Sequence, residues 1–586
     1  MTVIRQNQLL QEVYTLWKEN INDPILYQEL ISMEKSLEMI EECFYKDLEF
    51  GTGGLRGILG VGTNRLNIYT IAKATQGYAN YLNKISKNTI PTVAIAYDSR
   101  INSELFAKVS AEVFAGNNIH VFIYKELMPT PALSFAVREL ECLGGVVITA
   151  SHNPAQYNGY KVYGSDGGQI TSKMAKEIYE CMQQISIFED VKKLDFEEAI
   201  SQNKVEYIEE ELISKYITTV SEESLSKEGT KHSLSIVYSP LNGSGLKPVM
   251  RILKKNGFLN VKVVKKQEEP DGHFSTCPKP NPEEETAMEL AIELAKETKS
   301  EFIIATDPDC DRVGIAILTK DGYQLLNANQ TGTLLFYYLC ERKLENNTFP
   351  KQPVLAKTIV TTDMVKPIAQ DYGVQVIETL TGFKYIGEQI ACLEQEGREE
   401  DFLLGFEESY GYLTSTKIRD KDGVNAVLLL CEMADYYKEK GQTLEDVLEN
   451  LYQNYGYYIN SQKSFQFEGK AGFEKMQLIM KRLREEPLQQ LAGEVVEAVI
   501  DYQLGERRFI LSKEQQKKKE KIQGNLPASN VLKFELRGGS SFIVRPSGTE
   551  PKLKIYFSVT NKEKNICQQI EKQLREAMID WIKAVE

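Results

Sequence analysis

Short apolar runs alternate with longer amphipathic stretches along most of this 586-residue chain. A short continuous apolar run is typical of a buried strand, whereas apolar residues at three- and four-residue steps are typical of a helix. Their alternation predicts βαβ units around largely parallel or mixed sheets. The strand candidates share this apolar composition and comprise residues 92–97, 119–124, 146–149, 235–238, 261–264, 302–306, 313–318, 374–378 and 402–405.

The two ends of the chain have different patterns. Residues 9–46 place leucines and isoleucines at helical steps with charges between them, which predicts an all-helical preface. Residues 458–586 run through helical segments and paired apolar runs to a closing helix, an α+β pattern. We therefore predict an α/β protein, with three similar βα-rich domains with mixed sheets plus a C-terminal α+β domain around a central cleft. The predicted domains span residues 1–215, 216–325, 326–457 and 458–586.

Composition and charge narrow the class of protein. Apolar residues at 42% and charged residues at 26% are ordinary for a soluble globular chain. The net charge of −14 argues against nucleic acid or a membrane as a partner, although a locally basic cleft can still bind an anion. Nine scattered cysteines without a C-x-x-C pair predict free thiols in a reducing compartment. No apolar stretch approaches the roughly 18 residues of a membrane helix, and no signal-peptide pattern is present, so we expect a cytoplasmic protein.

Three alternating carboxylates form the most specific chemical signal in the chain. Asp307, Asp309 and Asp311 directly follow a predicted buried strand, and Arg312 comes next. Three negative charges this close repel one another, so a folded chain tolerates them mainly around a hard cation. The neighbouring guanidinium indicates that the cation's other partner is a phosphate. An EF-hand is excluded, because its sixth loop position would be Arg312 instead of Gly.

A second polar loop, T-A-S-H-N-P, follows the strand candidate 146–149 and contains Ser151 and His152. A serine on a tight loop beside a histidine is a nucleophile, an N-cap or a turn residue, and composition alone favours the turn. Lys161 follows shortly afterwards and could bring an amine back to the same loop.

A third loop, R-P-S-G-T, brings Arg545, Ser547, Gly548 and Thr549 within five residues. One guanidinium, two hydroxyls and a glycine amide suit a phosphate monoester dianion, with a plain β-turn as the alternative. The chain contains no Walker motif, so nucleotide binding is not indicated.

Other loops are less specific by themselves. The segment G-F-E-E-S-Y-G, with Glu407 and Ser409, offers short acceptors and an aromatic ring, a set suited to sugar hydroxyls. Arg56 and Lys384 are each the lone cation of a glycine-rich loop, and Lys421 lies in what reads as a solvated turn.

Taken in order from about residue 50 to 555, these loops resemble the α-D-phosphohexomutase family, the phosphoglucomutases and phosphomannomutases. The long chain, the helical preface and the sugar loop look most like the phosphoglucomutase/phosphopentomutase branch. The resemblance implies interconversion of glucose 1-phosphate and glucose 6-phosphate through a phosphoserine enzyme, with Mg²⁺ as cofactor and glucose 1,6-bisphosphate as intermediate and activator. It also implies a phosphoserine domain, a metal-binding domain, a sugar-binding domain and a phosphate-binding lid domain, in that order, in a monomer or homodimer.

The resemblance further implies a role for each matching residue. Ser151 would be the phosphoserine, and Mg²⁺ would be held by its phosphate and by the three aspartates. The other catalytic residues would be His152, Lys161, Arg312 and Lys421. Lys421 is the preferred base, because Gly411 stands where some members have a histidine. The substrate-binding residues would be Arg56, Arg100, Lys384, Glu407, Ser409, Arg545, Ser547, Gly548 and Thr549.

A lysine acts as a base near neutrality only if its pKa falls, and we expect a cleft crowded with other cations to lower it. Several alternatives share these loops: a phosphopentomutase, another sugar-phosphate mutase or a sugar-bisphosphate synthase. A non-catalytic sugar-phosphate sensor is less favoured, as is an aspartyl-phosphate phosphatase, which would leave the Ser151 and Arg545 loops unexplained.

Overall fold

The computed structural model describes residues 3–51, 53–87, 89–467, 469–510, 519–522, 526–547 and 552–585. The chain divides into two compact units. The first comprises Met1–Leu326, Gly387–Glu399 and Ser409–Asp435, and the second comprises Asn327–Ile386, Glu400–Glu408 and Tyr436–Glu586. Within the described residues, no helix combines the length and the apolar character needed to cross a bilayer. All nine cysteines lie in the described residues and all are free, as predicted.

Three helices open the chain, as the sequence predicts: α1 (Val3–Asn20), α2 (Pro24–Ser32) and α3 (Leu37–Phe44). Helix α2 begins where Asp23 accepts hydrogen bonds from the amides of Ile25 and Leu26, which satisfies two otherwise unpaired donors. Trp17 is fully buried and packs edge-on against Phe44, so these helices share a small core of their own.

A six-stranded mixed sheet forms the core of the N-terminal part of the first unit, in the order β1-β5-β4-β2-β3-β6. Its strands are β1 (Gly54–Ile58), β2 (Thr92–Tyr97), β3 (His120–Tyr124), β4 (Gly144–Ile148), β5 (Tyr157–Gly164) and β6 (Val205–Ile208). Its helices are α4 (Ile68–Ile85), α5 (Ser103–Gly116), α6 (Thr130–Glu139), α7 (Ser172–Gln183), α8 (Phe196–Ser201) and α9 (Glu210–Ser221). Strand β2 runs parallel to β3 and β4, whereas β5 runs antiparallel to β4 and β1. The apolar residues of β2 and β4 are buried, which explains their continuous apolar sequence.

A second mixed sheet follows in the order β11-β10-β9-β7-β8. Its strands are β7 (Ile236–Ser239), β8 (Val261–Val263), β9 (Phe302–Thr306), β10 (Val313–Thr319) and β11 (Gly322–Leu326). Its helices are α10 (Leu246–Lys255), α11 (Lys265–Glu268) and α12 (Glu285–Thr298). Strands β7, β8 and β9 are parallel, and β10 turns back antiparallel to β9. The loop between β9 and β10 therefore lies at the carboxyl end of a central parallel strand, where open α/β sheets bind ligands.

The third βα-rich block contributes strands β12 (Val354–Thr358), β13 (Gln375–Thr379), β14 (Phe402–Glu407) and β15 (Gly411–Leu413). Its helices are α13 (Ala328–Glu345), α14 (Val365–Tyr372), α15 (Phe383–Gln395), α16 (Gly423–Glu439) and α17 (Leu444–Tyr455). Strand β12 pairs in parallel with β13 on one side and with β14 on the other. The turn after β12 and the turn after β14 therefore leave the sheet at the same edge.

The C-terminal block is an antiparallel sheet in the order β16-β23-β22-β21-β18-β19-β20, with β17 paired to β18. Its strands are β16 (Tyr457–Gln466), β17 (Gln490–Leu491), β18 (Glu494–Asp501), β19 (Glu506–Phe509), β20 (Lys519–Lys521), β21 (Leu532–Leu536), β22 (Ser541–Pro546) and β23 (Lys552–Asn561). Helices α18 (Gly469–Glu485) and α19 (Lys564–Ala584) belong to the same block. Phe534 and Phe542 stack at 4.5 Å in its core.

The predicted α/β class and the C-terminal α+β block are confirmed, and each predicted strand is present with ends shifted by a few residues at most. One interpretation is wrong. The glycine-rich stretch around Arg56 is not a loop, because residues Gly54–Ile58 form β1 against β5. Gly54 is needed there: a Cβ would lie 1.9 Å from the carbonyl oxygen of Tyr160. The predicted boundaries at 215/216, 325/326 and 457/458 stay predictions.

Candidate active site

The loop after β9 brings three carboxylates together. Oxygens of Asp307, Asp309 and Asp311 lie within 4.8 Å of one another, and all three residues are buried. Burial, together with the charges of the other two aspartates, raises the pKa of Asp307 well above its usual value. The cluster is thus electrostatically costly by itself, and a divalent cation would remove that cost.

The loop has its own internal hydrogen bonds. Asp307 Oδ1 accepts from the amides of Asp311 at 3.1 Å and Arg312 at 3.0 Å. Cys310 adopts a left-handed backbone with φ of 50°, which lets the chain fold back between the carboxylates. The alternate spacing in the sequence therefore becomes a convergent set of oxygens.

Two neighbouring segments hold this loop from behind. Thr130, at the start of α6, donates from its hydroxyl to Asp309 Oδ2 at 2.9 Å and from its amide to the Asp309 carbonyl at 2.9 Å. The Ser244 amide donates to the carbonyl of Pro308 at 2.8 Å. A Cβ on Gly243 would lie 2.4 Å from the Pro308 Cα, so only glycine fits.

The residues present fit a hard divalent cation. Asp309 Oδ1 and Asp311 Oδ1 are buried and have no hydrogen-bond partner within the described part of the chain. On the other side, Lys161 Nζ lies 2.7 Å from Asp309 Oδ2, and Lys421 Nζ lies 3.2 Å from Asp311 Oδ2. An all-oxygen set with unpartnered carboxylate oxygens is the donor chemistry that Mg²⁺ prefers.

Ser151 lies directly against the carboxylate cluster. Its Oγ donates to Asp307 Oδ2 at 2.6 Å, and the residue is 3% exposed with a left-handed φ of 53°. A relay of hydrogen bonds supports this conformation: the Ser151 amide donates to Thr149 Oγ1 at 2.8 Å, and Thr149 donates to Asp98 Oδ2 at 2.6 Å. The loop therefore presents the Ser151 hydroxyl to the metal carboxylates, and Ser151 is not an ordinary turn residue.

His152 faces the same hydroxyl, with Nδ1 3.2 Å from Ser151 Oγ. Burial, followed by the charges of Arg312 and Arg56, lowers the pKa of His152 well below its usual value. The imidazole is therefore neutral at neutral pH and can accept a proton or a hydrogen bond.

Arg100 supports the loop that contains Ser151. Its side chain is 0% exposed and donates to the carbonyls of Pro154 at 3.1 Å and Tyr157 at 2.9 Å, and also to those of Ser151 and Asn153. The guanidinium therefore fixes the backbone of residues 151–157, which we call the serine loop, through hydrogen bonds to four of its carbonyls. The predicted substrate contact of Arg100 stays a prediction.

The pKa of Lys161 is not lowered by neighbouring cations, in contrast to the lowering expected for a lysine that acts as a base. Burial would lower the pKa of Lys161, but the carboxylates of Asp309 and Asp311 outweigh it and raise the pKa. The charges nearest to the Lys161 ammonium are the negative charges of Asp309 and Asp311, at 2.7 Å and 3.4 Å. Lys421 Nζ lies 3.2 Å from Asp311 Oδ2. The Gly423 amide donates to the Cys310 carbonyl at 3.1 Å, which connects the turn containing Lys421 to the loop after β9.

Sequence reasoning missed several supporting residues. Glu283 accepts from Arg312 Nη1 at 2.7 Å, and Tyr163 donates to Asp420 Oδ2 at 2.6 Å beside Lys421. Thr130 gives no sequence signal, because an apolar helix with a threonine at its start is common. Asp98 did carry one: it directly follows β2, at a strand's carboxyl end.

The remaining predicted residues divide between the units. Arg56, on β1, and Ser409 lie in the first unit, where the carbonyl of Tyr410 accepts from the Val313 amide at 3.0 Å. The second unit contains Lys384 on α15, Glu407 at the end of β14, Arg545 on β22 and Ser547. Gly548 and Thr549 lie outside the described residues.

Comparison with known proteins defines the class. Four family profiles match in order: phosphoglucomutase/phosphomannomutase alpha/beta/alpha domains I, II and III over residues 47–187, 214–320 and 327–455, and the C-terminal domain over 508–577. The chain belongs to the phosphoglucomutase/phosphomannomutase family, and the resemblance seen in the sequence is confirmed. A phosphoglucomutase of Staphylococcus saprophyticus is 35% identical over 561 residues, which cover 95% of this chain and 98% of that protein.

Solved structures show the same fold. Parafusin from Paramecium, a phosphoglucomutase solved in an open form, has a TM-score of 0.63 at 21% identity, covering 92% of this chain and 94% of that one. The N-acetylphosphoglucosamine mutase of Aspergillus fumigatus, solved with GlcNAc-6P and magnesium, has a TM-score of 0.50 at 13% identity and covers 92% of this chain and 96% of that one.

Proposed function

We propose that this chain interconverts glucose 1-phosphate and glucose 6-phosphate through a phosphoserine at Ser151. The observation that carries the proposal is the contact between Ser151 Oγ and Asp307 Oδ2, at 2.6 Å, inside a cluster of three buried carboxylates. The 35% identical phosphoglucomutase of S. saprophyticus supports glucose phosphates as the substrates.

Asp307, Asp309, Asp311 and an oxygen of the phosphoserine would hold Mg²⁺, which supplies charge neutralisation for the transferring phosphoryl group. Arg312 adds a guanidinium beside the same oxygens, oriented by Glu283. A phosphate on Ser151 would lie beside these carboxylates and be repelled by them. Transfer therefore requires a bound cation that neutralises both the carboxylates and the phosphate.

In the reaction, the bond between phosphorus and Ser151 Oγ breaks and a bond to the free sugar hydroxyl forms. The hydroxyl proton passes to a base, for which Lys421 is the candidate. Lys161 can take that role only where the cation neutralises Asp309 and Asp311, whose charges otherwise raise the pKa of Lys161. In the second half-reaction, the other phosphate of glucose 1,6-bisphosphate returns to Ser151, and the same groups exchange roles.

Substrate binding uses the residues that follow the other strands. Glu407, Ser409 and Lys384 are proposed to bind sugar hydroxyls, and Arg56 and Arg100 are proposed to contact the substrate as well. Arg545, Ser547, Gly548 and Thr549 are proposed to bind the phosphate that does not react. Cytoplasmic placement and a monomeric or homodimeric state stay predictions.

The decisive experiment replaces the nucleophile. Ser151→Ala should abolish interconversion of the glucose phosphates, because the proposed reaction passes the phosphoryl group through the Ser151 hydroxyl, while the thermal transitions stay in place. Ser201→Ala, an exposed serine on α8, is the matched control and should keep full turnover. Intact mass should show a fractional phosphate on the parent that Ser151→Ala lacks. Undiminished turnover by Ser151→Ala would overturn the proposal.

A further inference from the structure

The carboxylate next to Lys421 is held by a tyrosine that the proposed reaction does not use. Asp420 Oδ1 accepts from the Lys421 amide at 2.8 Å and from Lys421 Nζ at 3.1 Å. Asp420 Oδ2 accepts from the Tyr163 hydroxyl at 2.6 Å. Tyr163 is 0% exposed and Asp420 is 4% exposed, and hydrogen bonds in such buried surroundings are stronger than in water. The three side chains therefore form one connected, buried group.

Strand β5 contributes two side chains to this part of the site. Tyr163 stands two residues after Lys161 on β5, so both side chains lie on one face of the strand. Lys161 Nζ and Lys421 Nζ lie 3.4 Å and 3.2 Å from the same oxygen, Asp311 Oδ2. One face of β5 therefore reaches the carboxylate cluster directly through Lys161 and indirectly through the contact of Tyr163 with Asp420.

The backbone of the turn at residues 419–423 has separate supports. At its start, the Arg419 amide donates to Ser134 Oγ at 2.9 Å. At its end, the Gly423 amide donates to the Cys310 carbonyl at 3.1 Å. These contacts hold both ends of the turn, so loss of the tyrosine hydroxyl would act mainly on the side chains within it.

The charges of these groups agree with the hydrogen bonds. Burial, followed by the charge of Asp420, raises the pKa of Tyr163 well above its usual value, so the phenol keeps its proton and donates. Burial would raise the pKa of Asp420, but the charge of Lys421, then that of Lys161, and the tyrosine hydrogen bond outweigh burial and lower it. Asp420 is therefore an anion with one oxygen bonded to Tyr163 and the other to Lys421.

We propose that Tyr163 and Asp420 are positioning residues that hold the Lys421 side chain beside the carboxylate cluster, where it exchanges the proton of the sugar hydroxyl. The inference rests on the proposed function and extends it. A lysine side chain has a flexible four-carbon stem, so without such contacts it would populate many positions. Misplacing a reacting group by about 1 Å can lower a rate by about 100-fold, and the fixed carboxylate prevents such a displacement.

Tyr163→Phe tests the contact with the smallest change, because it removes one hydroxyl and keeps the ring. We expect kcat for glucose 1-phosphate to fall about tenfold, with KM within about a factor of two, because the lost interaction serves proton transfer and not substrate binding. Tyr160→Phe is the matched control: its ring is also 0% exposed but stands on the opposite face of β5, and kcat should stay at the parent value.

A second variant and a double-mutant cycle link the effect to the lysine. Asp420→Asn replaces a carboxylate oxygen by a donor, so it should lower kcat at least as much as Tyr163→Phe. In a Lys421→Met background, Tyr163→Phe should have no further effect on the residual kcat, because the side chain that it positions is gone. Calorimetric titration of glucose 6-phosphate into Ser151→Ala protein should give the same affinity with and without Tyr163→Phe.

The outcomes separate a positioning role from a merely structural one. A parent-like kcat in Tyr163→Phe, an equal loss in Tyr160→Phe, an undiminished effect in the Lys421→Met background or a weakened affinity for glucose 6-phosphate would each refute the inference. All of these results leave turnover by the parent enzyme intact. If the parent itself does not interconvert the glucose phosphates, the proposed function fails, and the inference fails with it.

Discussion

At the scale of single residues, Asp309 connects the carboxylate cluster to two other elements, α6 and β5. It accepts from Thr130 and pairs with Lys161, so it joins the serine-loop sheet to the metal loop. The neighbouring carboxylate Asp307 serves its own loop amides and Ser151 instead. Asp307 therefore contacts the proposed nucleophile, whereas Asp309 contacts the neighbouring helix and strand.

Asp309→Asn should reduce kcat by at least about 100-fold at moderate Mg²⁺, since even outer partners of metal ligands cost about 10–100-fold. The amide preserves the shape but loses the charge that binds the cation, so higher Mg²⁺ should recover part of the activity. Asp321→Asn, in the exposed β10–β11 turn, is the control and should behave like the parent. Full activity of the parent in excess chelator would contradict the metal site.

Arg545→Ala should chiefly raise KM for glucose 1-phosphate, by about tenfold or more, because a hydrogen bond to a charged group is worth about 1.5–3 kcal/mol. Arg537→Ala removes a guanidinium with a 64% exposed side chain from the turn after β21, and its KM should not change. Equal effects of the two variants would show that Arg545 has no phosphate to bind.

The sequence predicted the carboxylate loop, residues 307–312, better than it predicted the residues that support the site. Asp307, Asp309 and Asp311 are close in sequence and follow one strand, so their meeting depends on local geometry alone. Arg100 and Glu283 act through residues about 50 and 30 positions away, and the tertiary fold decides those contacts. Lys161 shows the same limit, because its pKa depends on carboxylates almost 150 residues later.

At the scale of elements, α16 begins beside the site with an unusual cap. Asp422 Oδ1 accepts from the amides of Val424 at 2.8 Å and Asn425 at 3.0 Å, and from the Tyr216 hydroxyl at 3.0 Å. Its other oxygen is buried and has no hydrogen-bond partner in the described ranges. Burial therefore raises the pKa of Asp422 to about 6.

This cap makes a signed prediction for pH. The folded-state pKa of about 6 exceeds the unfolded value of about 3.9, so folding binds a proton, and stability falls as pH rises through that window. Asp422→Asn keeps the capping oxygen but cannot ionise. Relative to this variant, the parent should lose up to about 3 kcal/mol between about pH 4 and pH 6. Urea unfolding at several pH values measures the difference, and a constant difference would contradict the assignment.

Strands were predictable from the sequence where they are buried on both faces, because nearly all of their residues are then apolar. Strands β2 and β9 match their predicted ranges, because every position but the edge residue is apolar. Strand β1 was missed, since G-L-R-G-I has glycines where a typical strand has branched residues, and its pairing with β5 depends on the tertiary fold.

At the scale of the whole molecule, the chain contains two compact units, each with its own apolar core. The first includes a cluster around Phe114 and the second a cluster around Phe534, both fully buried. Long chains with separate cores often unfold in more than one step. The order of the four polar loops along the sequence, not their similarity to one another, allowed the overall organisation to be predicted.

Phe114→Ala and Phe534→Ala form a matched pair that tests this organisation. Each removes one ring from one core, at a cost of about 3–5 kcal/mol. Differential scanning calorimetry should show two transitions, and each variant should lower a different one. A single transition lowered equally by both variants would mean that the units unfold as one.

The close approach of Gly243 to Pro308 has a consequence for protein engineering. The six-residue segment D-P-D-C-D-R has no room for a side chain at its back, where Cβ atoms on Gly243 and Gly423 would lie 2.4 Å and 2.5 Å from it. Grafting these six residues onto another protein would transfer the aspartates without the two glycines that leave room for the loop backbone. A transplanted magnesium centre would therefore need both glycines and their flanking turns to travel with it.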